Sequence, residues 1–409
     1  MSLLYTLNQR YAMKKCIVMC VLVMFFLSVL CVWAQESNES RLLFAYEKNF
    51  ARGSLTTKVQ VLQDAAGSGE SGMGKLYLRA LEFYLSNYNT LSGDATAIEL
   101  VKLAARLAGE EQYKAAIDSL WTVFQNDNDT GIRLAAMNSL GEMLDPEHQL
   151  LEQIYSFLKV ENDQYLQGKE VDLQVVAETV MTLGKIGPAG AFPVLFAAIH
   201  LGYPDHIEQK AKDAIDKLEG DTSEMVVEVL ETGFAREKKP VLDWAMLNDS
   251  FTKEQKGELA LKALDIGLGL TNNEDINKLN RELRYSAVNY LTALEWSLAT
   301  PLLIEHFNQT NIEVDRGITP KTVLLEAIAA LGTMSTNEAA VRLSLYLEVL
   351  NTYMENGQRV DEQVVLAVIR NLGRLGGNAA FDHLLYAMYL DYPRSVKQAA
   401  REVLSDLQQ

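Results

Sequence analysis

VDLQVVAETVMTLGKIGPAGAFPVLFAAIHLGYPDHIEQKAKDAIDKL spans residues 171–218, and VDEQVVLAVIRNLGRLGGNAAFDHLLYAMYLDYPRSVKQAAREVLSDL spans residues 360–407. The two align without a gap at a constant offset of 189, with 18 of 48 positions identical. Self-similarity at this length marks a repeat architecture. One short unit cannot bury its own apolar face, so it must stack on neighbours.

Within the unit the apolar residues recur every three or four positions. Val175, Val176, Val180, Leu183 and Ile186 form one stripe, and Val364, Val365, Val368, Leu372 and Leu375 form its twin. This is helix period. Ser54, Asp172, Thr252 and Asp361 have the chemistry of helix N-caps, and Gly187, Gly220, Gly376 and Gly377-Asn378 that of helix ends. Pro188, Pro204 and Pro393 fit turns or first helical turns. The expected unit is a helix, a tight Gly turn, a second helix, a Tyr-Pro turn and the next helix.

The Leu-Gly step serves as a ruler for weaker copies. It occurs at Leu140-Gly141, Leu183-Gly184, Leu331-Gly332 and Leu372-Gly373, with degraded forms at Leu107-Ala108 and Leu291-Thr292. The spacings 107–140, 140–183, 291–331 and 331–372 are 33, 43, 40 and 41 residues. Leu230 and Leu264 are the expected centres in the long interval between 183 and 291. Ala177, Ala191, Ala198, Ala214, Ala379, Ala380 and Ala387 are expected to let helices approach closely, and Ser395–Gln409 to form a polar closing helix.

These residues resemble HEAT-repeat proteins, in particular the bacterial HEAT-like repeats of phycobilisome lyases. The motif Leu-Gly-x-Ile-Gly with later Ala, Pro and Leu is matched at Leu183–Gly187 with Ala191, Pro193 and Leu195. The opening half is legible at Asp129, Ile132, Arg133, Ala136, Leu140 and Gly141. The resemblance is specific over roughly 125–218 and 285–407 and only permissive over 219–284 and before 95. It implies an all-α fold, an α-solenoid of antiparallel helix pairs forming a HEAT-like or armadillo-type superhelix. It implies no single activity, and the lyase chemistry of some relatives does not transfer with the repeat.

The N-terminus reads as an address. Lys14 and Lys15 precede the apolar run at residues 16–33, and Val32 and Ala34 occupy the −3 and −1 positions of a cut before Gln35. That is the pattern of a secretory signal peptide. Two other fates share these residues: an uncleaved anchor, or a lipoprotein processed at Cys31. All three place the body outside the cytoplasm, in the periplasm or cell envelope. Met13 would be a natural start, leaving 1–12 as an upstream extension. The expected organisation is 1–34 as signal peptide or anchor, 35–94 as an N-terminal helical cap region with a Gly/Ser linker, and 95–409 as the repeat solenoid.

Composition narrows the chemistry. The formal net charge is −17, a poor match to phosphate backbones. All three cysteines lie at 16, 20 and 31, so the body has no thiol for disulfides, metal ligation or nucleophilic attack. Gly69–Leu76 approaches a phosphate-binding loop, but Leu76 stands where a hydroxyl would hold magnesium, and a linker between helices is the expected reading. None of His148, His200, His206, His306 and His383 forms an i, i+4 pair, so no metal or other cofactor is expected. The carboxylates are too numerous and scattered to single out a catalytic pair. Asn38, Asn128, Asn248 and Asn308 sit in glycosylation sequons, a number that arises easily by chance.

The best surface lies in the later copy. Phe381, Leu384, Leu385 and Met388 are expected to be core, with Asp382, Tyr386 and Tyr389 on another face; His200 is the counterpart of Tyr389 in the earlier copy. Tyr at such positions suits protein contacts, and equally suits packing on a neighbouring repeat. Tyr203-Pro204 and Tyr392-Pro393 are expected to be structural turns. The expectation is a non-enzymatic, exported scaffold or adaptor that binds a protein partner through these residues. An enzyme or enzyme accessory using groove carboxylates, and a membrane-anchored binding module, are the alternatives.

Overall fold

The computed structural model describes residues 41–407, so the signal-peptide, anchor and Cys31 readings lie outside the described residues. The fold is all-α and solenoid-like, with no extended strand among the described residues. It divides into two compact units, one ending at Pro188 and the other beginning at Ala189.

In the first unit, helices Leu55–Gly67 and Gly74–Ser86 both pack on Ala95–Glu110. Helix Ala95–Glu110 packs on Thr130–Met143, which packs on Leu173–Ile186. These are the first helices of successive pairs, and they form one layer. Helices Ile117–Asn126 and Leu151–Leu166 are second helices, each resting on the first helix that follows it.

The second unit repeats this plan. Phe192–His200 packs on Asp205–Ile215, and Ser223–Thr232 on Ala235–Leu247. Helix Lys253–Leu268 has a long contact with Glu274–Leu294. From there the first helices Glu274–Leu294, Lys321–Thr333, Glu362–Leu375 and Arg394–Leu407 stack in order. The second helices Thr300–Asp315, Asn337–Glu355 and Phe381–Ala387 stack beside them.

Local chemistry explains the element ends. The side chains of Ser54, Asp172, Thr252 and Asp361 each accept a backbone N–H in the first turn of the following helix. Short 3-10 turns at Lys114–Ala116, Ala189–Ala191, Ser297–Ala299 and Asn378–Ala380 lead into second helices. A positive-φ residue follows several first helices: Gly187 and Gly376 in the two well-preserved copies, and Gln112, Glu295 and Ser335 in the degraded ones. Thus the copies that kept their sequence also kept the residue for which this conformation is cheap.

The Leu-Gly ruler has a packing cause. Leu107, Leu140, Leu183, Leu291, Leu331 and Leu372 are all buried in the last turns of first helices; Leu230 and Leu264, in the interval between, are buried near the ends of their own helices. Truncating one to alanine would cost about 2–5 kcal/mol. The following glycine marks where successive first helices touch: a β-carbon on Gly332 would collide with the Asn371 side chain, and one on Gly373 would lie 2.7 Å from Val403 Cγ2. Of the expected close-approach alanines, Ala379 is the exception. Its side chain is exposed in the 3-10 turn, and only its carbonyl meets a helix, accepting from Ser344. The other six are buried. Tyr203 and Tyr392 are buried at the two Tyr-Pro turns, which makes these turns part of the core.

Candidate functional site

Helix Asn337–Glu355 is apolar on two sides. Thr336 caps its start by accepting from Ala339 N–H. One side buries Leu343, Tyr346, Leu347 and Leu350. The other presents Val341, Leu345, Val349 and Tyr353 at four-residue intervals, each 40–48% exposed. Four-residue spacing keeps the side chains on one slowly turning ridge.

Both neighbouring second helices hold this helix in place. On one side, the Arg342 guanidinium donates to Asn308 Oδ1 at 2.8 and 2.6 Å and lies over the Phe307 ring. Tyr346 donates to Asn311 Oδ1 at 2.8 Å, and its ring meets Phe307 edge-on. On the other side, Ser344 donates to the Ala379 carbonyl at 2.7 Å and Asn351 to the His383 carbonyl at 2.9 Å. Burial lowers the Arg342 pKa and raises that of Tyr346 to about 12. The three helices therefore form one layer whose outer surface also carries Ile312, Leu385, Tyr386 and Tyr389.

The expected site residues fall into two environments. Asp382, Tyr386 and Tyr389 lie together on this exposed face, with Tyr389 78% exposed just past its helix. Tyr386 bonds Glu355 of the central helix, which raises its pKa. Leu385, expected in the core, is 39% exposed; Leu384 and Ala387 supply the buried side of this short helix. His200 is elsewhere. Its ring packs 4.5 Å from Phe196 in a recess of about 260 Å³ lined also by Lys212, Pro240 and Trp244. Burial, and then Lys212, lower its pKa. The two copies thus match in sequence register but not in exposure: Trp244 and Pro240 line the recess around His200, whereas Tyr389 stays open to solvent.

Val341, Leu345, Val349 and Tyr353 were not among the expected site residues. The only signal for them is an apolar ridge with the same period as a core stripe, and such a ridge reads as core until the neighbours are known.

The remaining candidates resolve into structure. The near phosphate loop is a turn at 68–73, with Met73 fully buried. The Glu111 carboxylate accepts from Met73 N–H at 3.2 Å and also bonds Gly74 N–H. A side-chain carboxylate therefore holds the helix start where a phosphate would bind, and a β-carbon on Gly74 would strike Tyr113. Among the described residues no three His, Cys, Asp or Glu side chains converge as metal ligands, and no helix is long and apolar enough to cross a membrane.

An open groove of about 640 Å³ lies on the first-helix layer of the first unit. Its polar lining mixes Glu99 and Glu178 with Lys102 and Arg106. The fully buried Arg284 donates to Glu313 Oε2 at 2.5 Å, and Gln309, Tyr285 and Thr319 complete that carboxylate's partners. This cluster is closed to ligands and ties a first helix to a second.

No protein-family model matches the chain, and no curated protein matches it.

Proposed function

We propose that this chain is an exported, non-enzymatic scaffold or adaptor of HEAT-like type that binds a protein partner through the second-helix face of residues 300–389. One observation carries the reading. Val341, Leu345, Val349, Tyr353, Tyr386 and Tyr389 stand exposed on adjoining helices, although each helix has a separate buried side. Single exposed apolar residues are ordinary on soluble proteins, but a contiguous group with tyrosines has the composition of an interaction surface. The helices beneath are held by side-chain hydrogen bonds on both flanks, so a partner would meet a preorganised surface. The partner is expected in the periplasm or cell envelope, on the strength of the signal-peptide pattern at residues 14–34.

The test has two arms. N-terminal sequencing of the native protein should begin at Gln35; a blocked, lipid-modified Cys31 or a retained residue 16–33 segment would move the chain to the membrane. Affinity purification from the envelope fraction should recover a protein with the native chain and lose it with Leu345→Asp plus Tyr389→Ser. Recovery of the same proteins by both, or turnover of a small molecule without any partner, would sink the scaffold reading.

A further inference from the structure

Charge is segregated between the two helix layers of residues 274–407. Helices Thr300–Asp315, Asn337–Glu355 and Phe381–Ala387 carry seven carboxylates and one cation, a balance of −6. The first helices Glu274–Leu294, Lys321–Thr333, Glu362–Leu375 and Arg394–Leu407 carry seven carboxylates and nine cations, a balance of +2. Both layers belong to the same acidic chain, so overall composition does not account for the difference. Of the seven acids on the second helices only Glu313 is buried; Glu305, Asp315, Glu338, Glu348, Glu355 and Asp382 are exposed. The single cation, Arg342, is committed to Asn308 and the Phe307 ring.

We propose that this face receives a basic amphipathic helix of a partner polypeptide. Its apolar side would seat along Val341, Leu345, Val349 and Tyr353, and its lysines or arginines would meet the surrounding carboxylates. This rests on the reading of the face as a protein-contact surface and adds the chemistry of the partner. The ridge from Val341 to Tyr353 covers twelve residue steps, about 18 Å of helix, so a partner helix of about 12–14 residues matches its length. Charge complementarity selects among occupants. A second copy meeting this face by two-fold symmetry would set six exposed carboxylates and Arg342, a balance of −5, against the same set. Anionic lipid and nucleic acid are repelled for the same reason. Rim ion pairs are individually weak, about 0.2–1 kcal/mol, so the apolar ridge holds the partner and the carboxylates choose its charge.

The probes are two synthetic helical peptides of about 14 residues with one shared leucine face, one carrying lysine and the other glutamate on the polar face. Binding to the purified chain is read by fluorescence anisotropy at low and high salt. The lysine peptide should bind and weaken with salt, and the glutamate peptide should bind at least tenfold more weakly. Glu348→Lys with Glu355→Lys should weaken the lysine peptide at least tenfold. Glu326→Lys with Glu402→Lys, the same charge change on the first-helix layer, should move it less than twofold. Unchanged helical circular dichroism and urea midpoint establish that each variant folds.

Equal weakening by both charge variants would reduce the effect to overall acidity and overturn the proposal. Equal binding of both peptides, lost in Leu345→Asp with Tyr389→Ser, would overturn the charge selection and leave the contact surface standing. Self-association in sedimentation, or binding to anionic vesicles, abolished by Leu345→Asp would assign the face to those occupants and overturn it. Absence of peptide binding overturns it as well; the underlying reading falls with it only if Leu345→Asp with Tyr389→Ser also leaves native partner recovery unchanged.

Discussion

Arg284 Nη2 and Glu313 Oε2 meet at 2.5 Å in the core of the second unit, across a first and a second helix. The guanidinium is fully buried, and its Nε and Nη1 have no hydrogen-bond partner among the described residues, so the ion pair carries most of its compensation. Removing one partner leaves a buried charge without its counter-ion. Glu313→Ala or Arg284→Ala should therefore destabilise by about 3–5 kcal/mol in urea unfolding, while Arg284→Met with Glu313→Leu should cost much less. Equal losses for the single and double variants would show that side-chain volume, not charge, dominates this site.

His306, on the same second helix, has its pKa pushed down to about 3, by burial first and by Arg284 second. The folded chain then holds a neutral imidazole, whereas the unfolded chain takes up a proton near pH 6.5. Unfolded protein gains protons first as pH falls, so this contribution is complete above about 6.5 and is lost progressively down to about 3. Replacing His306 with Gln should narrow the stability difference between pH 7 and pH 5 by about 2 kcal/mol. An unchanged pH dependence in the variant would place the titrating group elsewhere.

Gln112, Glu295 and Ser335 hold left-handed backbone with φ of 50, 51 and 53°, at the turns where the better-preserved copies have glycine. Each β-carbon there is crowded by its own backbone, at a cost of about 1–2 kcal/mol, partly offset by the greater freedom of glycine in the unfolded chain. Glycine at any one of them should raise stability by about 0.5–1 kcal/mol, and the sites are separate enough for the gains to add. The converse, Gly187→Ala, should lose about 1–2 kcal/mol. Urea midpoints of the single and combined variants decide the matter.

Gly332 lies against Asn371 where two first helices of the second unit cross. Gly332→Ala should cost about 1–3 kcal/mol through overpacking. Because the obstacle is the Asn371 side chain, Asn371→Ala in the same molecule should restore part of the loss, giving a coupling of about 0.5–3 kcal/mol in a double-mutant cycle. Additive effects would mean that the backbones, not this side chain, set the helix spacing.

Much of this protein was legible in its linear sequence because the deciding interactions are local. A helix period, an Asp or Ser at a helix start and a glycine in a left-handed turn all act within a few residues of chain. The Leu-Gly step was readable for a related reason. Every first helix must place a leucine inward near its end, and several place a small residue next to it where the following first helix passes. The duplicated unit accordingly keeps its element order in both copies.

The proposed contact face was only partly legible. Tyr386 and Tyr389 could be placed on one side of a helix, but not declared exposed. Val341, Leu345 and Val349 have the same spacing as buried stripes, and Leu385 belonged to the expected core. Which apolar side of a two-sided helix meets solvent depends on what packs against it, and those contacts come from segments 32–35 residues away in sequence. His200 and Tyr389 occupy one position in two copies of one unit, yet one lies in an aromatic recess with Trp244 and the other is open. The local sequence decided that these residues end second helices. Tertiary packing alone decided which of them is exposed to solvent, because exposure belongs to the neighbours a residue acquires and not to the residue itself.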